Sequence, residues 1–173
     1  VEEGVDLIIE YQVDEKFGAA IANKFQQANI PMIAVDIPML GATFFGVDNY
    51  RAGRMAGVAL GRWIRENWGG LFDQLVVLEA PRAGPLPAAR IQGQLEGLCE
   101  VVGEVPADKV TYLDSGHLSD ITEEQVARVL QSLPDAHRIA IISLNDTATL
   151  GALAAARKLG REALPRSLLY VRS

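Results

Sequence analysis

The stretch "FFGVDNYRAGRMAG", residues 44 to 57, sets an apolar run directly before an Asp-Asn pair and then opens a helical pattern whose inner positions are Gly and Ala. Another apolar run, "PMIAV" at 31 to 35, lies just upstream, and only "DIPMLGAT" stands between the two. Pro38 and Gly41 break any helix there, so two strand-like runs follow one another without a helical crossover. This spacing predicts that the second run leaves the sheet of the first. Asp48 is placed to cap the next helix, its carboxylate accepting orphan backbone N–H groups. Gly53, Ala56, Gly57 and Gly61 share one face of that helix, and their small size predicts an axis lying close to a sheet.

Working outward, short runs rich in Val, Ile and Leu recur at Leu7 to Ile9, Pro31 to Val35, Thr43 to Val47, Gln74 to Leu78, Val110 to Leu113, Ile139 to Ile142 and Leu168 to Val171. Amphipathic stretches lie between most of them: Asp14 to Ala28, Tyr50 to Glu66, Ala88 to Cys99, Glu123 to Leu133 and Thr147 to Leu159. Strands alternating with helices imply parallel pairing with helices on both faces, a doubly wound α/β fold. Near-continuous apolar strands fit, because parallel strands are buried on both sides.

Composition narrows the function. The 173 residues are 49% hydrophobic, enough for one core or two small ones, and the formal charge is -6. The basic residues are scattered, which argues against nucleic-acid contact, since phosphate binding needs a concentrated positive field. Cys99 stands alone, excluding an internal disulfide, and His117 and His137 are too far apart in sequence for a Cys/His metal cluster. There is no P-loop, no G-x-G-x-x-G and no H-E-x-x-H, so no cofactor is expected. "YLDSGHLSDITEE" (112–124) crowds Asp114, Ser115 and His117 together, but nucleophilic triads assemble from separated segments and no nucleophile elbow is present. Asp120 and Thr122 read as the start of a helix instead. Trp63 and Trp68 read as packing or a surface patch, and "EAPRAGPLPAAR" (79–90) as a proline-stiffened loop entering a helix.

Four segments, "ANIPMIAVD" (28–36), "GVDNYRAGRMAG" (46–57), "AARIQGQLEGL" (88–98) and "SLNDTATLGALAAARKLG" (143–160), resemble in order and separation the type I periplasmic binding protein family. That family includes sugar-binding solute receptors and the effector domains of LacI-type repressors. The resemblance implies two Rossmann-like lobes holding ligand in the cleft between them. Residues 1–47 then correspond to the later part of the N-terminal lobe and 48–173 to most of the C-terminal lobe, with a hinge crossing near 44–49. The chain reads as incomplete at both ends, starting almost on a strand and stopping on one, so any targeting signal would lie outside it.

On that template Asp36 follows "PMIAV", where sugar-binding relatives place a carboxylate that accepts from hydroxyls; the alternative is a turn cap before Pro38. Asn145 follows "AIISL" with an amide suited to hydroxyl recognition, while Asp146 reads as the plain helix cap. Relatives show an A-R-x-R-G run, written here Ala89-Arg90-Ile91-Gln92-Gly93, so Gln92 takes the contact place and Arg90 reads as a second candidate or as structural, salt-bridged on its own helix. His117 either lines the cleft or faces solvent. Arg172 stands where relatives carry an aspartate, and Ile37 where they carry an arginine; the altered cations admit an acidic sugar or another anionic solute.

The resemblance therefore implies reversible binding of a small polar solute, a carbohydrate, by the receptor of an ABC importer, with a membrane permease as partner and a periplasmic or extracellular location. No bond is made or broken in that reading. The alternative is the effector domain of a LacI-type regulator in the cytoplasm, against which the "NWGGLFDQLVVLEAP" stretch (67–81) looks more like solute receptors.

Overall fold

The computed structural model describes residues 4–12, 15–116, 118–161, 163–164 and 167–168. The chain divides into two compact units, Val1–Asp48 with Arg82–Leu86, and Asn49–Pro81 with Pro87–Ser173.

In the first unit β1 (Ile8–Tyr11), β2 (Met32–Val35) and β3 (Thr43–Phe45) form a parallel sheet in the order β1-β2-β3. Helix α1 (Glu15–Gln27) joins β1 to β2. It ends where Asn29 turns left-handed at φ 55°, so that the amides of Asn29 and Ile30 reach back to the carbonyls of Gln26 and Phe25. That is a Schellman stop, with asparagine in the place glycine usually takes. Ala22, Met32, Ala34 and Met39 make the core of this unit, with Ile8, Ile21, Phe25 and Ala42 packed around them.

The expected departure of the second run from the sheet is not what the structure shows. β3 lies parallel beside β2, with Ile33 opposite Thr43 and Val35 opposite Phe45. The crossover between them is a loop that does a helix's work. Asp36 turns left-handed at φ 62° and Gly41 at φ 77°, while Ile37 and Met39 are buried, Met39 within the core. Burying two apolar side chains lets seven residues return the chain to the start of a parallel neighbour.

The second unit carries α2 (Asn49–Trp68), β4 (Gln74–Glu79), α3 (Pro85–Val102), β5 (Val110–Asp114), α4 (Ser119–Ser132), β6 (Ile139–Ser143) and α5 (Asp146–Lys158); the first two residues of α3 group with the first unit. Its sheet is parallel in the order β5-β4-β6. Val76, Leu78, Ile139 and Ile141 point to one face, where Val126 and Leu130 of α4 and Ala148, Ala152, Ala155 and Ala156 of α5 cover them. Leu75, Val77, Ala140 and Ile142 alternate to the other face and are equally buried.

The glycine face of α2 packs against α3, not against the sheet. A Cβ on Gly53 would overlap the Arg90 carbonyl oxygen, and one on Gly57 the Gln94 carbonyl; Gly93 and Gly97 of α3 return the arrangement toward Tyr50 and Arg54. The backbones touch because neither helix has a side chain there. Flanking polar pairs hold the seam: Arg54 grips Glu100 through two bonds of 2.6 and 2.8 Å, and the Tyr50 hydroxyl donates to Glu96.

Three local readings also shift. Helix α3 starts inside the proline-rich segment, because prolines at its first and third positions lack N–H groups that have no intrahelical partner anyway. Helix α4 starts at Ser119, one residue ahead of the expected Asp120, and Thr122 lies buried within its first turn, donating 2.8 Å to the Leu118 carbonyl. Of the run expected as the last strand only Leu168 is described, in the two-residue β8 (Ser167–Leu168), which pairs antiparallel with β7 (Ala163–Leu164).

Candidate functional site

In open parallel sheets polar groups gather at the carboxyl ends of strands, where the backbone must turn away and helix N-termini point. Two of the sequence candidates stand there. Asp36 is the first residue after β2 and is exposed; its amide donates 2.9 Å to the Phe45 carbonyl while its own φ is positive. Asp36 takes the left-handed backbone that glycine adopts most easily and that aspartate tolerates better than most residues.

Asn145 stands two residues beyond β6, half-buried. It also corrects the expected cap: Asn145, not Asp146, caps α5, its Oδ1 accepting from the Ala148 amide at 2.9 Å. The residue before the helix has the extended backbone that capping needs, whereas Asp146 is already helical. The Asn145 carbonyl accepts from the Ser143 hydroxyl at 2.9 Å.

Arg90 is half-buried and bonds across the unit instead of along its own helix. Its Nε donates 3.0 Å to Oδ1 of Asn49, the first residue of α2, and Nη1 donates 3.0 Å to the Leu144 carbonyl, next to Asn145. The structure thus brings Arg90 and the Asn145 loop together. Gln92 goes elsewhere: it is exposed and donates 2.9 Å to Glu96, one turn along α3. The Tyr50 hydroxyl and the Gln92 amide together hold the Glu96 carboxyl below its ordinary range. His117 and Arg172 lie outside the described residues.

Sequence reasoning passed over Gln94. It lies four residues after Arg90, hence on the same face of α3, and its Nε2 donates 3.0 Å to the Ser143 carbonyl. Glu79 and Asp114, opposite one another in register, end β4 and β5, so two carboxylates also stand at the carboxyl edge of this sheet. Ser115 offers no nucleophile: it is fully buried and its hydroxyl donates to the Glu79 carbonyl. Among the described residues there is no group of His, Cys, Asp and Glu able to hold a metal ion, and no helix long and apolar enough to cross a membrane.

A family model described as the periplasmic binding protein domain matches residues 1–169. Among solved structures, a periplasmic solute-binding protein of an ABC transporter from Actinobacillus succinogenes, with bound D-allose, is 19% identical with a TM-score of 0.74, over 97% of this chain and 59% of its own. A LacI family transcriptional regulator from Enterococcus faecium, with bound ribose, is 18% identical with a TM-score of 0.73, over 98% and 58%. The binding component of the arabinose ABC transporter from Shewanella sp. ANA-3, bound to L-arabinofuranose, is 20% identical with a TM-score of 0.73, over 98% and 56%. The chain spans less than two thirds of the length of each of these structures. No curated protein sequence matches it significantly.

Proposed function

The chain belongs to the periplasmic binding protein domain family, and on that premise we propose that it binds a small carbohydrate reversibly, as part of the receptor of an ABC importer. The observation that carries this reading is the placing of Asp36 and Asn145 immediately beyond the carboxyl ends of parallel strands, Asp36 in a conformation that favours another residue type. A carboxylate accepts from sugar hydroxyls, and an amide both donates and accepts. Arg90, beside the Asn145 loop, supplies cationic N–H groups; Gln92, His117 and Arg172 complete the proposed set. Residues 1–47 are assigned to an N-terminal lobe and 48–173 to a C-terminal lobe, with the crossing near 44–49.

In this reading the protein makes and breaks no bond. Sugar hydroxyls satisfy the polar groups better in one conformation than in others, which shifts the population toward it, and a membrane permease recognises that form. The location is then periplasmic or extracellular. A LacI-type effector domain in the cytoplasm is the second reading, favoured by the equal likeness to the ribose-bound regulator. Reading the gene upstream of Val1 separates them: an export signal supports the receptor, and a helix-turn-helix supports the regulator.

Thermal denaturation with D-allose, D-ribose and L-arabinose tests binding itself. A sugar at a hundredfold excess over its Kd stabilises by about 2.7 kcal/mol, a readable rise in Tm. Asp36→Ala and Asn145→Ala are expected to abolish the rise while still unfolding cooperatively. Absence of any rise across the three sugars, or an unchanged rise in both variants, contradicts the reading.

A further inference from the structure

We infer that Arg90 and Gln94 are positioning residues, a two-point clamp from helix α3 that fixes the backbone presenting Asn145. The inference rests on the proposed role of Asn145 only for its consequence in binding; the clamp itself stands on geometry. Three consecutive carbonyls run from the last residue of β6 into the turn. The Ser143 carbonyl accepts from Gln94 Nε2 at 3.0 Å, and the Leu144 carbonyl accepts from Arg90 Nη1 at 3.0 Å. The Asn145 carbonyl accepts from the Ser143 hydroxyl at 2.9 Å. Every carbonyl of the turn is therefore held, two of them by side chains one helical turn apart on α3.

The loop beyond a strand is ordinarily among the softer parts of a fold. Here it is tied to a helix that is itself immobilised, since Gly93 and Gly97 bring the α3 backbone against α2. Arg90 adds a second tie, donating 3.0 Å to Oδ1 of the buried Asn49 at the start of α2. The clamp thus sets the direction in which Asn145 leaves the strand, and with it the cap bond from the Ala148 amide to Oδ1.

Gln94 carries a signature of that purpose. It is almost wholly buried, yet its Oε1 has no hydrogen-bond partner among the described residues. A buried amide with one useful half is poor value as a stabiliser, because the unpaired acceptor costs about what the made bond gains. Methionine, of similar volume, discards both halves. Gln94→Met should therefore leave global stability near that of the parent while releasing the Ser143 carbonyl, a separation that a plain core residue would not show.

Hydrogen exchange of the Ala148 amide, measured without ligand, reads the clamp. In Gln94→Met its protection is expected to fall about tenfold, the worth of one ordinary hydrogen bond, with the urea midpoint held. Arg90→Met is expected to lower the same protection at least as far, and Arg90→Lys to restore part of it by keeping one donor toward Leu144. Titration with D-ribose, D-allose and L-arabinose should then show any affinity of the parent weakened in step. Unchanged protection in both methionine variants overturns the clamp, as does a loss spread evenly over all of α5. If protection falls in the variants while none of the sugars binds the parent, the clamp stands and the carbohydrate reading fails.

Discussion

The two parallel sheets are written in nearly the same sequence style, "MIAV" at the centre of one and "AIIS" at the edge of the other, yet they are covered very differently. Every residue of β6 is buried. In the first unit Ile9, Tyr11 and Phe45 are 65%, 62% and 70% exposed, and they lie in register on one side of β1-β2-β3 with Ile33 and Val35. An apolar run marks a strand; it does not tell how many of its faces are packed. In the second unit α4 and α5 cover one face of the sheet, and a glycine-lined contact joins α2 to α3. The first depends on α1 and a seven-residue loop anchored by Met39.

This contrast can be broken by substitution, and the largest effect belongs to the glycine seam. Gly57→Ala would drive a methyl into the Gln94 backbone, and the helices must part to admit it. A loss of about 3 kcal/mol is expected, as for overpacked cores, read as a lowered urea midpoint; a neutral result would show that the seam is loose. Next comes the start of the second sheet. Burial pushes the Asp73 carboxyl up, but the amides of Arg138 and His137 and the Arg138 guanidinium, 3.0 Å away, outweigh it and hold the group below its ordinary value.

A carboxyl depressed in the folded state stabilises above its unfolded value near pH 4 and loses that contribution as pH falls through the folded one. Asp73→Asn should therefore cost about 1 kcal/mol at pH 7, in keeping with a partly exposed charged bond, and progressively less below pH 4. Equal costs at pH 7 and pH 3 would remove the electrostatic explanation. The smallest effect has the opposite sign and lies in the first unit. A Cβ on Gly18 meets only the flexible Met39 side chain, at 3.5 to 3.9 Å, within α1. Gly18→Ala is expected to raise stability by about 0.5–1 kcal/mol through helix propensity and unfolded-state entropy; a loss would mean the first unit is packed as tightly as the second.

Much of the architecture was legible because it rests on periodicity. The alternation of apolar runs with amphipathic stretches marked the order of strands and helices, and parallel pairing followed from the crossovers. What escaped were places where a short contact replaced a long pattern. The β2–β3 crossover lacks a helix, so nothing periodic announced that Met39 would bury itself and keep β3 in the sheet. The glycines of α2 were visible as a close-approach face, but small size does not name the neighbour, and the answer lay in the matching glycines of α3.

The candidate site shows the same division. Asp36 and Asn145 stand out as candidates because each follows an apolar run. That Asn145 takes the capping bond, and not Asp146, depended on one residue of register. Arg90 and Gln94 were harder still, since a donor on a helix carries no mark of the carbonyl it meets more than forty residues later. Their i, i+4 spacing, which puts both on one face of α3, is the one signal of the pair that the sequence carries.

Uptake of a carbohydrate by the polar groups beyond the strand ends can be read from backbone amide chemical shifts recorded during titration with D-ribose, D-allose and L-arabinose. At least one sugar is expected to move the amides of residues 36–37 and 144–148 saturably, with those of the outer face of α2 unmoved. Saturable shifts confined to other residues, or no shifts with any of the three, would contradict it.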